Sequence, residues 1–106
     1  MPLAKTPAPP YYAVIFTSVL SEDSADYEEM AEKLVEGCST QPGFLGLDSA
    51  RSAIGITVCY WDSLESISKW KENEVHQYAQ KTGKEKWYTA YQVRIAKVEK
   101  VYGDDS

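Results

Sequence analysis

Ile54-Gly-Ile-Thr-Val-Cys-Tyr-Trp61, followed directly by Asp62-Ser-Leu-Glu-Ser-Ile-Ser-Lys-Trp70, carries the change of period that decides the fold. The first run alternates Ile54, Ile56, Val58 and Tyr60 against Gly55, Thr57, Cys59 and Trp61, the two-residue period of a strand. In the second, Leu64, Ile67 and Trp70 recur at helical spacing behind Asp62 and Glu65, which have the form of a capping box. Working back, Phe44 to Ala50 alternates loosely enough to be the hairpin partner of the first run, and Pro42-Gly43 ends what precedes it. Tyr27, Met30, Ala31, Leu34, Val35 and Cys38 then recur at i, i+3, i+4, i+7, i+8 and i+11, the stripe of an amphipathic helix. Ser21-Glu-Asp-Ser-Ala-Asp26 offers that helix caps and sets acids at its start. Tyr11 to Leu20, aromatic and β-branched on both alternating faces, reads as a strand covered on both sides.

Working forward, Lys71-Glu-Asn-Glu74 interrupts the second apolar stripe before Val75, Tyr78 and Ala79 resume it, which predicts a kink or restart near Asn73. Gly83 is the expected helix stop. Trp87 to Val101 then alternates Tyr91, Val93 and Ile95 against Gln92, Arg94, Ala96 and Val98 as the last strand. The order is that of an α+β, ferredoxin-like β-α-β-β-α-β sandwich, with both helices on one face of an antiparallel sheet. Residues 11–102 form the one domain. Residues 1–10, which hold four of the five prolines, are an arm, mobile or draped over a neighbour, and residues 103–106 are a frayed polar tail. Strands apolar on both faces need two covers, and two helices supply one. In a chain of only 106 residues the second is expected from another copy's sheet, giving a homodimer with the last strand and tail reaching toward the partner.

The formal net charge of −5 lacks the basic field that phosphate backbones need, so nucleic acid and anionic membranes are poor partners. No stretch has the length of an apolar span, and the first ten residues lack the apolar centre of a signal peptide. A soluble, cytoplasmic protein is the expectation. Cys38 and Cys59 each sit in an apolar pattern, as small buried hydrophobes do. There is no P-loop, glycine-rich dinucleotide fingerprint, Cys-x-x-Cys or His-Glu-x-x-His, and a single histidine offers no transition-metal cluster.

What remains is a constellation in the second helix and last strand: Trp70, Asn73, His76, Tyr78, Trp87, Tyr88, Tyr91 and Arg94. Such ring density suits a flat organic ligand as well as it suits packing. Trp70 follows Ile67 on the apolar stripe, so it is either a packing residue or a pocket wall. His76 is a solvated or capping residue, or else the acceptor of a phenol proton, since histidine alone titrates near neutrality without a shift. Asn73 is a cap or a hydrogen-bond partner for a substrate oxygen. Arg94 lies mid-strand beside Ala96 and Val98, where a guanidinium needs an acid or a ligand oxyanion. Tyr60, Tyr88 and Tyr91 are each a donor of a phenolic hydrogen bond or ordinary sheet packing.

Tyr60 to Trp70, then His76, Gly83, Trp87-Tyr88, Tyr91 and Arg94-Ile95, resembles the second half of antibiotic biosynthesis monooxygenase domains. In element order the likeness runs from Tyr11 to Val101. It implies a dimeric α-β barrel and a family that includes cofactor-free oxygenases turning polyphenols into quinones, quinol oxygenases and haem-degrading enzymes. The haem-degrading branch implies an asparagine in the first strand, a tryptophan in the second helix and an axial histidine beyond it. Only Trp70 matches, because Thr17-Ser18 and Gln80 stand at the other positions, so haem degradation by that scheme is not expected, although His76 remains as a displaced ligand. The leading expectation is a cofactor-independent monooxygenase acting with dioxygen on a phenol, hydroquinone or polyketide-like ring, needing no flavin, metal or nicotinamide. His76 is its base, Arg94 and a tyrosine its oxyanion partners, and Trp70 its stacking wall, with Asn73, Tyr60, Tyr91 and Trp87 also lining the substrate. The alternatives are a non-catalytic dimeric module binding a small hydrophobic molecule, and a haem-binding protein.

Overall fold

A computed structural model of the chain describes residues 3–22 and 24–104, the side chains of residues 74 and 75 excepted. Strand β1 (Tyr11–Leu20) leads to helix α1 (Tyr27–Ser39), then strands β2 (Phe44–Arg51) and β3 (Gly55–Trp61). Helices α2 (Leu64–Glu72) and α3 (Glu74–Thr82) follow, then a π-helical turn (Gly83–Trp87) and strand β4 (Tyr88–Val98). The sheet runs β2-β3-β1-β4 with every neighbouring pair antiparallel, and it is open, with β2 and β4 at its edges. This is the ferredoxin-like order that the change of period predicts.

Register decides which side chains meet the helices. Tyr12 pairs with Trp61 and Val14 with Cys59, and these side chains pack with Cys38, Leu34, Ile67 and Trp70 in the core. Directly paired residues share a face, so the helix side of the sheet also carries Phe16 and Ser18 from β1, Gly55 and Thr57 from β3, Leu47 and Arg51 from β2, and Tyr91, Val93 and Ile95 from β4. Tyr11, Ala13, Ile15, Ile56, Val58, Tyr60 and Arg94 occupy the opposite, open face. Within the core, hydrogen bonding to Cys59 and then burial hold the Cys38 thiol far above its ordinary pKa. Both cysteines are free.

Four local expectations need correction. The cap of α2 is Ser63, whose Oγ accepts from the Ser66 N–H at 3.1 Å, while Asp62 accepts from the Ser66 hydroxyl at 2.7 Å. Asp26 stands at the start of α1 without capping it. Gly83 does not stop the second helical segment. It is buried where an added Cβ would lie 2.5 Å from the Tyr88 ring, so glycine serves a close approach, and the helix runs on through the π turn to Trp87. The last strand starts at Tyr88 and ends at Val98, because Val98 pairs with Tyr11, where β1 begins. The predicted restart at Asn73 is present: its extended backbone ends α2, its N–H donates to the Trp70 carbonyl, and its own carbonyl accepts from Gln77. Ala79 is buried on the resumed stripe but Tyr78 is exposed, and Val75 lies outside the described side chains.

The arm packs on its own sheet. The Ala4 N–H donates to Asp48 at 2.8 Å, the Thr6 hydroxyl to Tyr11 at 2.8 Å, and the Tyr60 hydroxyl to the other Asp48 oxygen at 2.9 Å. It therefore covers the open face over β2 and β3 and reaches β1 at Tyr11, which is buried. The β4 side stays uncovered on both faces, with Val93 47% and Ile95 53% exposed on the helix side.

Candidate functional site

Trp70, Asn73 and His76 come together at the junction of α2 and α3. The extended backbone at Asn73 turns the chain so that the His76 ring stacks on Trp70, with centroids 4.9 Å apart and planes 13° from parallel. His76 Nδ1 lies 3.2 Å from the Trp70 carbonyl. A carbonyl only accepts, so this contact places the proton on Nδ1 and leaves Nε2 with a free lone pair. Burial holds the His76 pKa below its ordinary 6.5, with Lys71 adding repulsion and the Trp70 carbonyl opposing both. At neutral pH the ring is an uncharged base with a fixed tautomer.

A consequence for stability follows from linkage. The unfolded chain takes up a proton at His76 near 6.5, the folded chain only at lower pH, so the unfolded state binds more protons between the two values. Stability should be full above about 6.5 and fall as pH drops toward the folded-state value. Urea unfolding across this range should show that slope, and His76→Gln should remove it.

The remaining expected residues are distributed elsewhere. Arg94 pairs with Ile15 and so lies on the open face, with the sheet between it and His76. Tyr60 is on that open face too; burial, then its bond to Asp48, push its pKa up to about 12, so it stays protonated with its one O–H given to Asp48. Trp87 is 1% exposed under the start of α1, and its indole N–H donates to Asp26 at 2.8 Å. Tyr91 faces the helix side, stacked near Phe16 at 5.9 Å. Register therefore sets His76 and Arg94 on opposite faces of the sheet within one protomer. Two surface depressions, the larger about 400 Å³, lie on α1 and are lined by none of these residues.

The structure adds a group that the sequence reading missed. Arg51, at the end of β2, lies across Gly55, where an added Cβ would be 2.1 Å from the guanidinium carbon. It donates to the Ser18 carbonyl at 3.3 Å and to the Ser18 hydroxyl, and lies 5.3 Å from the centre of the Tyr27 ring. Tyr27 meets Tyr88 edge-on at 5.8 Å, and Tyr88 in turn meets Phe16 and Tyr91. Burial, with the Tyr27 phenol beside it, raises the Tyr88 pKa, against a smaller pull from Arg51. The row holding Ser18 is six residues along β1 from the row holding Tyr12 and Trp61, roughly 20 Å at strand rise. Arg51 and His76 therefore mark opposite ends of the helix-side layer.

The antibiotic biosynthesis monooxygenase profile matches residues 10–82, from the arm junction to the end of α3. The chain belongs to the antibiotic biosynthesis monooxygenase family. Within that setting it is 52% identical over 100 residues to the uncharacterized protein YqjZ of Bacillus subtilis (strain 168), covering 92% of this chain and 88% of that one. Its fold is shared with SnoaB, a cofactor-independent oxygenase from Streptomyces nogalater, at a TM-score of 0.76 and 8% identity, over 91% of this chain and 100% of SnoaB. PA3566 from Pseudomonas aeruginosa superposes with a TM-score of 0.71 at 13% identity, over 91% and 99% of the two chains. Among the described residues of this family member, no helix is long and apolar enough to cross a membrane, and no three histidine, cysteine or acidic side chains gather as a metal site.

Proposed function

We propose that this chain is a cofactor-independent monooxygenase that oxidises an electron-rich aromatic ring, and that it works as a homodimer. Family membership supports the reaction class, and the fold shared with SnoaB is compatible with it. The observation that carries the chemistry is the neutral His76, stacked on Trp70 with its Nε2 lone pair left free by the Nδ1 contact.

In this reading the substrate supplies the electrons. His76 Nε2 removes a proton from a phenol or from the activated CH2 of an anthrone-like ring. The resulting anion passes electrons to dioxygen, one oxygen atom joins the carbon, and the other leaves as water. For a CH2 centre the balance is CH2 + O2 giving C=O + H2O, with no external reductant. The protein's part is to bind the ring, hold the proton and exclude water. Arg94 is outside this step within one protomer, because it lies on the other face of the sheet.

The dimer rests on apolar surface that the arm and helices leave bare: Val93 and Ile95 on one face of β4, and Ile56, 46% exposed, on the open face. An eleven-residue edge strand with this exposure calls for a cover. Light scattering at micromolar concentration should give twice the chain mass, and a clean monomer would remove the dimer. The reaction is tested by oxygen uptake with anthrones, naphthols and hydroquinones, using chelator-treated protein free of bound flavin. Uptake without added cofactor supports the proposal, and a requirement for one overturns it.

A further inference from the structure

We infer that Arg51, Ser18, Tyr27 and Tyr88, with Phe16 and Tyr91 beside them, form a binding site for an anionic oxygen carried on an aromatic ring. The inference goes beyond the oxygenase reading, because it concerns binding at the other end of the helix-side layer and needs no turnover. Its first support is that the guanidinium is held in place by the fold. Arg51, Gly55 and Ser18 form one row across β2, β3 and β1, and Tyr91 continues that row onto β4. The missing Cβ of Gly55 leaves the channel through which the Arg51 side chain crosses β3 to reach Ser18. Ser18, 2% exposed, anchors it through both its hydroxyl and its carbonyl.

The second support is donor capacity. A guanidinium has five N–H groups and accepts nothing. Two of Arg51's are used on Ser18, and among the described residues no carboxylate lies within ion-pair distance of it. Asp26, the acid at the start of α1, is already tied to Trp87 and Lys86. A pre-positioned guanidinium with spare donors, resting on a tyrosine ring, favours a planar oxyanion over a neutral oxygen.

The third support is the neighbouring surface. Phe16, Tyr88 and Tyr91 form a continuous set of rings, with centroid separations of 5.3 Å, 5.9 Å and 5.9 Å. Tyr91 and Arg51 are both exposed residues on the helix side of the sheet. The Tyr88 phenol, kept protonated, is held beside Tyr27, which fixes its ring next to the guanidinium. Ring contact and a charge-assisted hydrogen bond together define the ligand class, an aromatic carboxylate or phenolate.

Calorimetric titration of the full chain with 2-naphthoate tests this. Saturable binding of one molecule per chain is expected, weaker by roughly tenfold or more for neutral 2-naphthamide and for ring-free cyclohexanecarboxylate. Titration with 2-naphthol below and above its own pKa tells whether a phenolate is held as well as the carboxylate. Arg51→Gln, a change at an exposed side chain, should lose roughly tenfold or more of the affinity, and Arg51→Lys should not restore it fully. Gly55→Ala, which obstructs the channel, should do the same where it folds, as judged by circular dichroism; Arg51→Gln decides if it does not. Retained affinity in Arg51→Gln, or an equal loss in Arg94→Gln, overturns the inference, as does the absence of saturable binding at millimolar 2-naphthoate. Oxygen uptake without naphthoate binding would sink this site and leave the proposed reaction standing; binding without uptake would do the reverse.

Discussion

Replacing His76 with alanine should lower substrate-dependent oxygen uptake by roughly a hundredfold or more, the scale of a lost general base. The change should fall on kcat more than on KM, because the proton is taken during reaction and ring contact is made mostly by other groups. Since His76 also stacks on Trp70 at 4.9 Å, alanine removes packing as well as a base. His76→Phe separates the two effects: it keeps a flat ring on Trp70 and cannot accept a proton, so it should be as inactive as alanine yet more stable. Added imidazole should restore part of the alanine variant's rate and none of the phenylalanine variant's, whose ring fills the space. The wild-type rate should hold down through pH 6.5, because burial keeps the ring neutral below its ordinary pKa. Activity retained in both variants would remove His76 from the mechanism.

Trp87→Ala should cost about 3–5 kcal/mol of stability, the range for deleting a large buried ring. The indole is 1% exposed, meets the Tyr27 ring edge-on at 5.6 Å and donates to Asp26 at 2.8 Å. Next to it the chain is clamped: the Ser21 N–H donates to the Trp87 carbonyl at 2.6 Å, and the Ser21 hydroxyl to the Lys86 carbonyl. Trp87 thus ties the π turn to the end of β1 and the start of α1, 61 residues away in sequence at Asp26. Stability of a small domain is about 5–15 kcal/mol, so the substitution removes a large share of it. Trp87→Phe keeps most of the buried ring and loses the donor to an exposed carboxylate with a modest packing loss, and should cost much less than alanine. Urea unfolding measures both. An alanine variant within 1 kcal/mol of wild type would contradict this account of Trp87.

The fold was legible in the sequence because it is written in periodicity. The strand alternation at Ile54–Trp61, the helical recurrence at Tyr27–Cys38 and the polar break at Lys71–Glu74 each point to an element found in the structure. The site was less legible because alternation groups residues by face without saying which face meets the helices. In β3 the more apolar set, Ile56, Val58 and Tyr60, takes the open face, while the set containing Gly55 and Thr57 meets the helix side. The same ambiguity in β4 put Arg94 on the side away from His76, although its grouping with Ala96 and Val98 was right. Arg51 was missed because an arginine at a strand end reads as solvated surface. Its signal was the small residues Ser18 and Gly55, which become a channel only once the strands are paired in register. Asp26 looked like a helix cap, and its bond to Trp87 spans 61 residues of sequence.

The central claim is that this chain inserts one atom of dioxygen into an aromatic substrate with electrons from the substrate itself. The measurement that reaches it most directly is mass spectrometry of the product formed under isotopically labelled dioxygen, by purified protein freed of metal and flavin. With an anthrone that supports oxygen uptake, one labelled oxygen should appear in each quinone, in proportion to dioxygen consumed, and the yield should collapse in His76→Ala. Product oxygen drawn from water, or a reaction that starts only when flavin, nicotinamide or metal is supplied, would contradict the account.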